Sequence, residues 1–414
     1  MAEPANTPIN LASVDPYSVP LTQIDVSQSE LYEKNLFWPY FERLRKEDPV
    51  HYCANSDFGP YWSITKFEDI VYVEQNHEIF SSEWGIVLGD RAEDFNTVNF
   101  ISMDPPKHDA QRKAVQGVVA PRNLVELEGT IRTRAATILD SLPRNETFNW
   151  VDLVAIELTT QMLATLFDFP FERRRKLTYW SDMATSGALV GGTTDEQVRR
   201  AALLECLEEF TQLRDERVHT KGGFDLISML AHNESTRHMP PMEFLGNLIL
   251  LIVGGNDTTR NSITGGVVAL NENPAEYAKL RNDHSLIPNM VSEIIRWQTP
   301  LAYMRRTASR DTELRGKKIA KGDKVVMWYV SGNRDEDAIE APNDFIIDRH
   351  NARHHVSFGF GIHRCMGNRL AEMQLRVVWE EILARFEKVE VVGEPVRVRS
   401  NFIKGYSQLP VKVY

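Results

Sequence analysis

Residues 358–367 read Phe358-Gly359-Phe360-Gly361-Ile362-His363-Arg364-Cys365-Met366-Gly367, a stretch with three glycines and a single sulfur. Glycines at that density let the backbone turn tightly and come close to a flat ligand, which side chains there would prevent. Immediately downstream, Ala371, Leu375, Val378, Ile382 and Phe386 recur at spacings of three or four. That period predicts an amphipathic helix starting near Asn368, with its N-terminus beside the sulfur. Helix N-termini favour negative charge and so stabilise a thiolate. Taken alone, the stretch also fits a glycine-rich turn around a structural cysteine, or a zinc site drawing on His350, His354, His355 and His363 with Cys365. Structural zinc usually takes several cysteines in C-x-x-C pairs, and only one cysteine lies here.

Working outward, 414 residues would by length alone make two or three domains, unless distant motifs converge on one site. Apolar residues at 42% and charged residues at 25% give an ordinary globular balance with material for a large core. A net charge of −11 argues against nucleic acid as the main partner, because phosphate binding needs a clustered basic surface. Cys53, Cys206 and Cys365 are far apart and odd in number, which suits a reducing compartment. The N-terminal residues lack the pattern of a secretory leader, and nowhere do eighteen apolar residues follow one another. We expect a cytoplasmic protein without a membrane anchor.

Along the chain, residues 1–30 are rich in Pro, Ser, Asp and Asn and read as an arm over the surface. A short helix over Leu36–Arg45 and a hairpin of Val50–Cys53 with Tyr61–Thr65 follow. Residues 84–101 read as a loop. After Asp104-Pro105-Pro106, His108 and Arg112 fall four apart on one helical face. Helices are predicted over Leu124–Leu142, Val151–Phe167, Arg173–Ser186 and Asp195–Val218, with a glycine-bearing break at Gly187–Thr194. The longest apolar helix is predicted over Met242–Leu270 and contains Gly254-Gly255-Asn256-Asp257-Thr258-Thr259. Two glycines inside a helix cost about 1 kcal/mol each against alanine, so they require a reason. Close packing of a neighbouring helix is one reason. A local widening for a small molecule, with an acid and an alcohol beside it, is another. Glu293 and Arg296 form an i, i+3 pair inside an apolar run, Leu301–Ala308 and Val325–Val330 read as strands, and the C-terminal residues 388–414 end in strands.

Phe358, Gly361, Cys365 and Gly367, read as F-x-x-G-x-x-x-C-x-G, resemble the haem-ligand loop of the cytochrome P450 superfamily. G-G-x-D-T-T resembles its oxygen-activation motif, E-x-x-R at Glu293 and Arg296 its structural hallmark, and H-x-x-x-R at His108 and Arg112 its haem-facing helix. These motifs stand in family order, so the resemblance covers nearly the whole chain and implies one mainly α domain with small β-sheets over residues 31–414. A departure is Val118-Val119-Ala120 before Pro121, where the family commonly has an aromatic residue. It touches packing only.

The resemblance implies haem b with Cys365 as the axial thiolate in a setting formed by Phe358, Gly359 and Gly367. His108, Arg112, Arg306 and His363 would meet the propionates. Asp257 and Thr258 would deliver protons, and Arg349 would complete a network with Glu293 and Arg296. The loop 84–101 would cover the substrate, and Leu250, Val253, Gly254, Leu301, Ala302, Met304, Phe402 and Ile403 would wall its pocket. Because these residues are uncharged, we expect an apolar aliphatic substrate. The wording of residues 356–376 most resembles the soluble bacterial terminal hydroxylases of alkanes and fatty acids, family 153, which implies insertion of one atom of O2 into a terminal C–H bond. A terpenoid or steroid hydroxylase is the alternative among enzymes, and a haem electron carrier or gas sensor the alternative outside them. No G-x-G-x-x-G follows a strand, so electrons from NAD(P)H would arrive through a ferredoxin reductase and a ferredoxin docking near Arg353, Arg364, Arg369 and Arg376.

Overall fold

In the computed structural model, which describes residues 9–414, the helix Pro241–Glu272 runs through the middle of the molecule. Its 32 residues extend about 48 Å at 1.5 Å per residue. Phe244, Leu245, Leu248, Ile252, Ile263 and Val267 are buried on one face, and Asn247, Asp257, Asn261, Thr264 and Val268 on the others, so the helix needs protein all round it. Helices Glu157–Phe167, Arg175–Thr185, Glu196–Val218, Ile287–Gln298 and Asn368–Arg385 supply that cover. Gly266 is one place where the approach is close: a Cβ there would stand 2.8 Å from Ile294 and 3.3 Å from Trp379.

The surrounding helices follow the apolar period within a few residues of the expected bounds. Pro121 opens the first, which ends at Asp140. A π-helical turn, Val151–Ile156, precedes Glu157–Phe167. Asp195 caps Glu196–Val218 by accepting the N–H groups of Gln197 and Val198. The break at 187–194 holds one 3-10 turn, Ala188–Val190. Among the described residues, helices outside the expectations include Phe67–Gln75, Leu226–His232 and Pro274–Asn282, besides the short Ser29–Glu33. The first is rich in Phe, Ile, Val and Tyr, a composition that favours strands until tertiary packing decides.

A five-stranded sheet lies to one side, in the order Val50–Cys53, Tyr61–Ile64, Lys324–Trp328, Tyr303–Ala308, Phe80–Ser81. Its pairs are antiparallel apart from Tyr61–Ile64 with Lys324–Trp328. Strand alternation divides the core here, with Val325 and Met327 facing one cluster and Val326 and Trp328 the other. The expected strand Val325–Val330 is corrected at its end. Trp328, opposite Tyr303, is its last paired residue, and Tyr329–Gly332 coil into a helical turn that lets Ser331 and Asn333 bond Thr65, Thr299 and Ser357. The C-terminal strands Val389–Val391 and Pro410–Val413 pair with each other and with Phe148–Asn149.

Of the segment expected as an arm, residues 1–8 lie outside the described residues. The rest is held down: Leu11, Val19, Ile24 and Val26 are buried, the Tyr40 hydroxyl donates to the Leu11 carbonyl at 2.6 Å, and Arg43 donates to the carbonyls of Pro16 and Val19. No helix among the described residues is long and apolar enough to cross a membrane.

Candidate functional site

A large cavity separates the long helix from the loop 357–367, and the Cys365 side chain opens into it. Gly359 and Gly361 both take left-handed conformations, with φ of 62° and 63°. At Gly361 a side chain would also run into the Glu74 carbonyl. These turns bring the Cys365 N–H to the Phe358 carbonyl at 2.8 Å and launch the helix Asn368–Arg385. Burial pushes the Cys365 thiol up, while the backbone N–H groups of Gly367 and Asn368 and the charges of Arg112 and Arg364 pull it down. A cationic metal at the sulfur would shift this balance further toward the thiolate.

Cations gather at one end of the cavity. Arg112, Arg306 and His363 line it, and His108 stands behind His363, ring edge to ring face at 4.5 Å between centroids. His363 Nε2 pairs with the Ser82 hydroxyl at 3.0 Å, while its buried Nδ1 has no partner among the described residues. His108 Nδ1 pairs with Asp109 at 2.8 Å, and its buried Nε2 likewise has none. Arg112 donates to the Arg364 carbonyl at 2.6 Å and has no carboxylate partner among the described residues. Burial, then the charges of Arg306, His108 and Arg112, holds His363 down at about 2. Burial also lowers His108 and Arg112. Such an arrangement lacks an anion. Arg306 is the exception, paired at 3.0 Å with the buried Glu74, which also accepts from Tyr329.

On the facing wall, Gly255 presses on Leu163, the close packing expected of the pair, while Gly254 looks into open space; the helix runs through both as regular α-helix. Thr258 lines the cavity and donates to the Gly254 carbonyl at 3.0 Å. Asp257 is fully buried and turns away from the cavity. Arg260 holds it at 2.5 Å and reaches the half-exposed Asp182 at 3.0 Å, while the Thr185 hydroxyl donates to Asp257 at 3.3 Å. Burial raises the Asp257 pKa, opposed by Arg260.

A flat ligand carrying a soft metal and carboxylates along one edge fits these residues. The sulfur meets the metal, bare backbone at Gly254 and Gly367 borders it, and the orphaned ring nitrogens with Arg112 meet the carboxylates. Zinc does not fit. His354 stacks on Phe67, His355 accepts the Ser357 N–H, and among the described residues no three His, Cys, Asp or Glu side chains gather to hold an ion.

Of the expected wall residues, Leu250, Gly254, Leu301 and Met304 line the cavity. Val253, Ala302, Phe402 and Ile403 do not, a correction with a plain cause. Ala302 and Phe402 are buried under the sheet, where Phe402 packs edge-on to Tyr303, and Ile403 instead bridges to Leu301. Val253 sits on another face of the long helix from Gly254. Ile86, Phe100 and Ile101, from the loop expected to cover the substrate, also line the cavity, and Val119 and Leu251 do so unannounced. Val119 belongs to the stretch that departs from the family's aromatic residue. Glu74 was missed as well, although a lone carboxylate on the buried face of Phe67, Ile70 and Val73 is itself a signal.

Glu293, Arg296 and Arg349 come together beneath the loop. Glu293 accepts from Arg296 at 2.7 and 2.8 Å and from Arg349 at 3.1 Å, and Arg296 also donates to the carbonyls of Asn333, Pro342 and Asp344.

Comparison with known proteins shows similarity over almost the full length. The family model described as Cytochrome P450 matches residues 193–404. The linalool 8-monooxygenase of Pseudomonas putida is 35% identical, covering 94% of this chain and 98% of its own. A methyl-branched lipid omega-hydroxylase of Mycobacterium bovis is 32% identical, covering 96% of each. The solved structure of CYP153D17 from Sphingomonas sp. superposes with a TM-score of 0.90 at 49% identity, covering 94% and 98%.

Proposed function

Since this chain belongs to the cytochrome P450 family and is a haem-thiolate monooxygenase drawing on O2 and a redox partner, we propose that it hydroxylates the terminal carbon of a medium-chain alkane or fatty acid. The observation that carries this is where the charges stand. Glu74, Arg112, Arg306 and His363 sit at the cation end, and the remaining wall is Ile86, Phe100, Ile101, Leu250, Leu251, Leu301 and Met304 with a few neutral polar groups. Such a wall holds substrate mainly by apolar area, at about 25 cal/mol per Å² removed from water, and offers no charged handle away from the cation end. Methyl C–H bonds are the strongest on such a chain, so terminal attack requires the walls to present the chain end first. The 32%-identical omega-hydroxylase supports the same reading.

In this reading Cys365 holds the haem iron, and Arg112, Arg306 and His363, with His108 behind, hold the propionates. The haem when bound supplies oxygen activation, and thiolate donation favours O–O cleavage. The chain's own task is to place the substrate, exclude water and supply protons. Thr258 keeps its hydroxyl at the cavity wall by resting on the Gly254 carbonyl. Asp257, raised by burial, is suited to carry a proton and pass it toward Thr258 once it leaves Arg260.

Product analysis with medium-chain alkanes and fatty acids tests the proposal. Terminal alcohols should dominate, and mainly internal alcohols would overturn it. A branched terpenoid is the second reading, favoured by the likeness to the linalool enzyme. Larger substrate-induced haem spectral shifts with terpenoids than with linear chains would select it.

A further inference from the structure

A second cavity, of about 260 Å³, lies away from the first, between the ends of the helices Pro241–Glu272 and Ile287–Gln298 and the C-terminal turn at Lys404. Three cations face it: Arg334, Lys404 and Arg397. Arg334 and Lys404 are 5% and 8% exposed, which is rare for charged groups unless they are paired. Neither is paired with an acid. Among the described residues Arg334 donates once, from Nη1 to the Pro342 carbonyl at 3.0 Å, and its buried Nε has no partner. The Lys404 ammonium meets only the carbonyls of Gln298 at 2.5 Å and Trp297 at 3.4 Å. The single acid on the wall, Glu272, is exposed at the rim.

The guanidinium of Arg334 is also held rigidly. It stacks 3.6 Å from the centre of the Trp297 ring and 4.6 Å from that of Trp38, and the Lys404 ammonium stands 5.1 Å over the same Trp38. Stacked in this way, it keeps an unused donor at a cavity surface, the arrangement that recognises planar oxyanions. Asn35 adds an amide whose oxygen already accepts from Trp38 Nε1, leaving its NH2 group free to donate.

We propose that this cavity is an anion site for a phosphate group, bound by Arg334, Lys404 and Arg397 and backed by the two indoles. Three positive side chains against one rim carboxylate match a dianion better than a monoanion. Burial pushes both Arg334 and Lys404 well below their ordinary values, a cost that an anion in the cavity would relieve.

The test is thermal unfolding and calorimetric titration of the full haem-loaded chain with inorganic phosphate, with phenyl phosphate, and with chloride at matched ionic strength. Saturable stabilisation by phosphate, absent with chloride, is expected. Lys404→Met should weaken it tenfold or more. Arg397→Gln, at the half-exposed edge where the guanidinium only overlies the Tyr406 ring at 4.9 Å, should weaken it several-fold even if Lys404→Met misfolds. Phenyl phosphate binding tenfold tighter than phosphate would assign the indole walls to an organic phosphomonoester, and equal affinities would assign the site to the free ion. Stabilisation by chloride equal to that by phosphate, or phosphate affinity unchanged in Arg397→Gln and Lys404→Met, would overturn the proposal.

Discussion

At the scale of single residues, two protonation questions can be measured. Thr258→Ala removes the only hydroxyl fixed to the Gly254 carbonyl. It should leave substrate binding nearly unchanged while product per reducing equivalent falls several-fold and peroxide rises; full coupling in the variant would remove Thr258 from proton delivery. Burial holds His355 at about 3 and His363 at about 2, against about 6.5 in an unfolded chain. Both therefore stay neutral in the fold while the unfolded chain takes up protons below that value. Stability must fall as pH drops below about 6.5, and the fall levels off only where the folded values are reached. A bound propionate would raise His363 and remove its share. The haem-free protein should thus lose denaturation midpoint between pH 7 and 5 more steeply than the loaded one, and parallel curves would show that His363 meets no anion. Cys365, His363 and Arg112 were legible because their motifs are short and local. Glu74 and Val119 were not, because their roles come from chain segments far away in sequence that press against them.

At the scale of elements, the run Ile287–Gln298 and the stretch 333–349 are joined through one buried carboxylate. Glu293→Gln would leave Arg296 and Arg349 buried without their counter-charge. Removing one partner of a buried ion pair costs about 3–5 kcal/mol, so a large fall in melting temperature and poor haem retention are expected. A fall of only a degree or two would mean that the carbonyls of Asn333, Pro342 and Asp344 already suffice. Long helices declared themselves in the sequence, as Pro241–Glu272 and Glu196–Val218 show. Phe67–Gln75 did not, and neither did the coil at Tyr329 that ends the strand Lys324–Trp328, since both are decided by what they pack against.

At the scale of the molecule, electrons must reach the sulfur side from a partner. Arg353 is tied to Glu372, and Arg376 to Glu128 and Glu380, so the basic patch expected there is half neutralised. Arg364 and Arg369 are exposed, and among the described residues no acid pairs with either. Arg364→Glu with Arg369→Glu should therefore slow electron transfer from an acidic ferredoxin tenfold or more at low salt, the gap closing as salt screens it; rates indifferent to both would place docking elsewhere. On the opposite side, the guanidinium of Arg260 grips Asp257 inside and Asp182 outside, and Asp182 rides on the helix Arg175–Thr185. Lifting that helix would part Asp182 from Arg260 and the Thr185 hydroxyl from Asp257. Under the proposed role of Asp257, breathing of the roof and release of the acid would be one movement, which would time the arming of the proton supply to the passage of molecules.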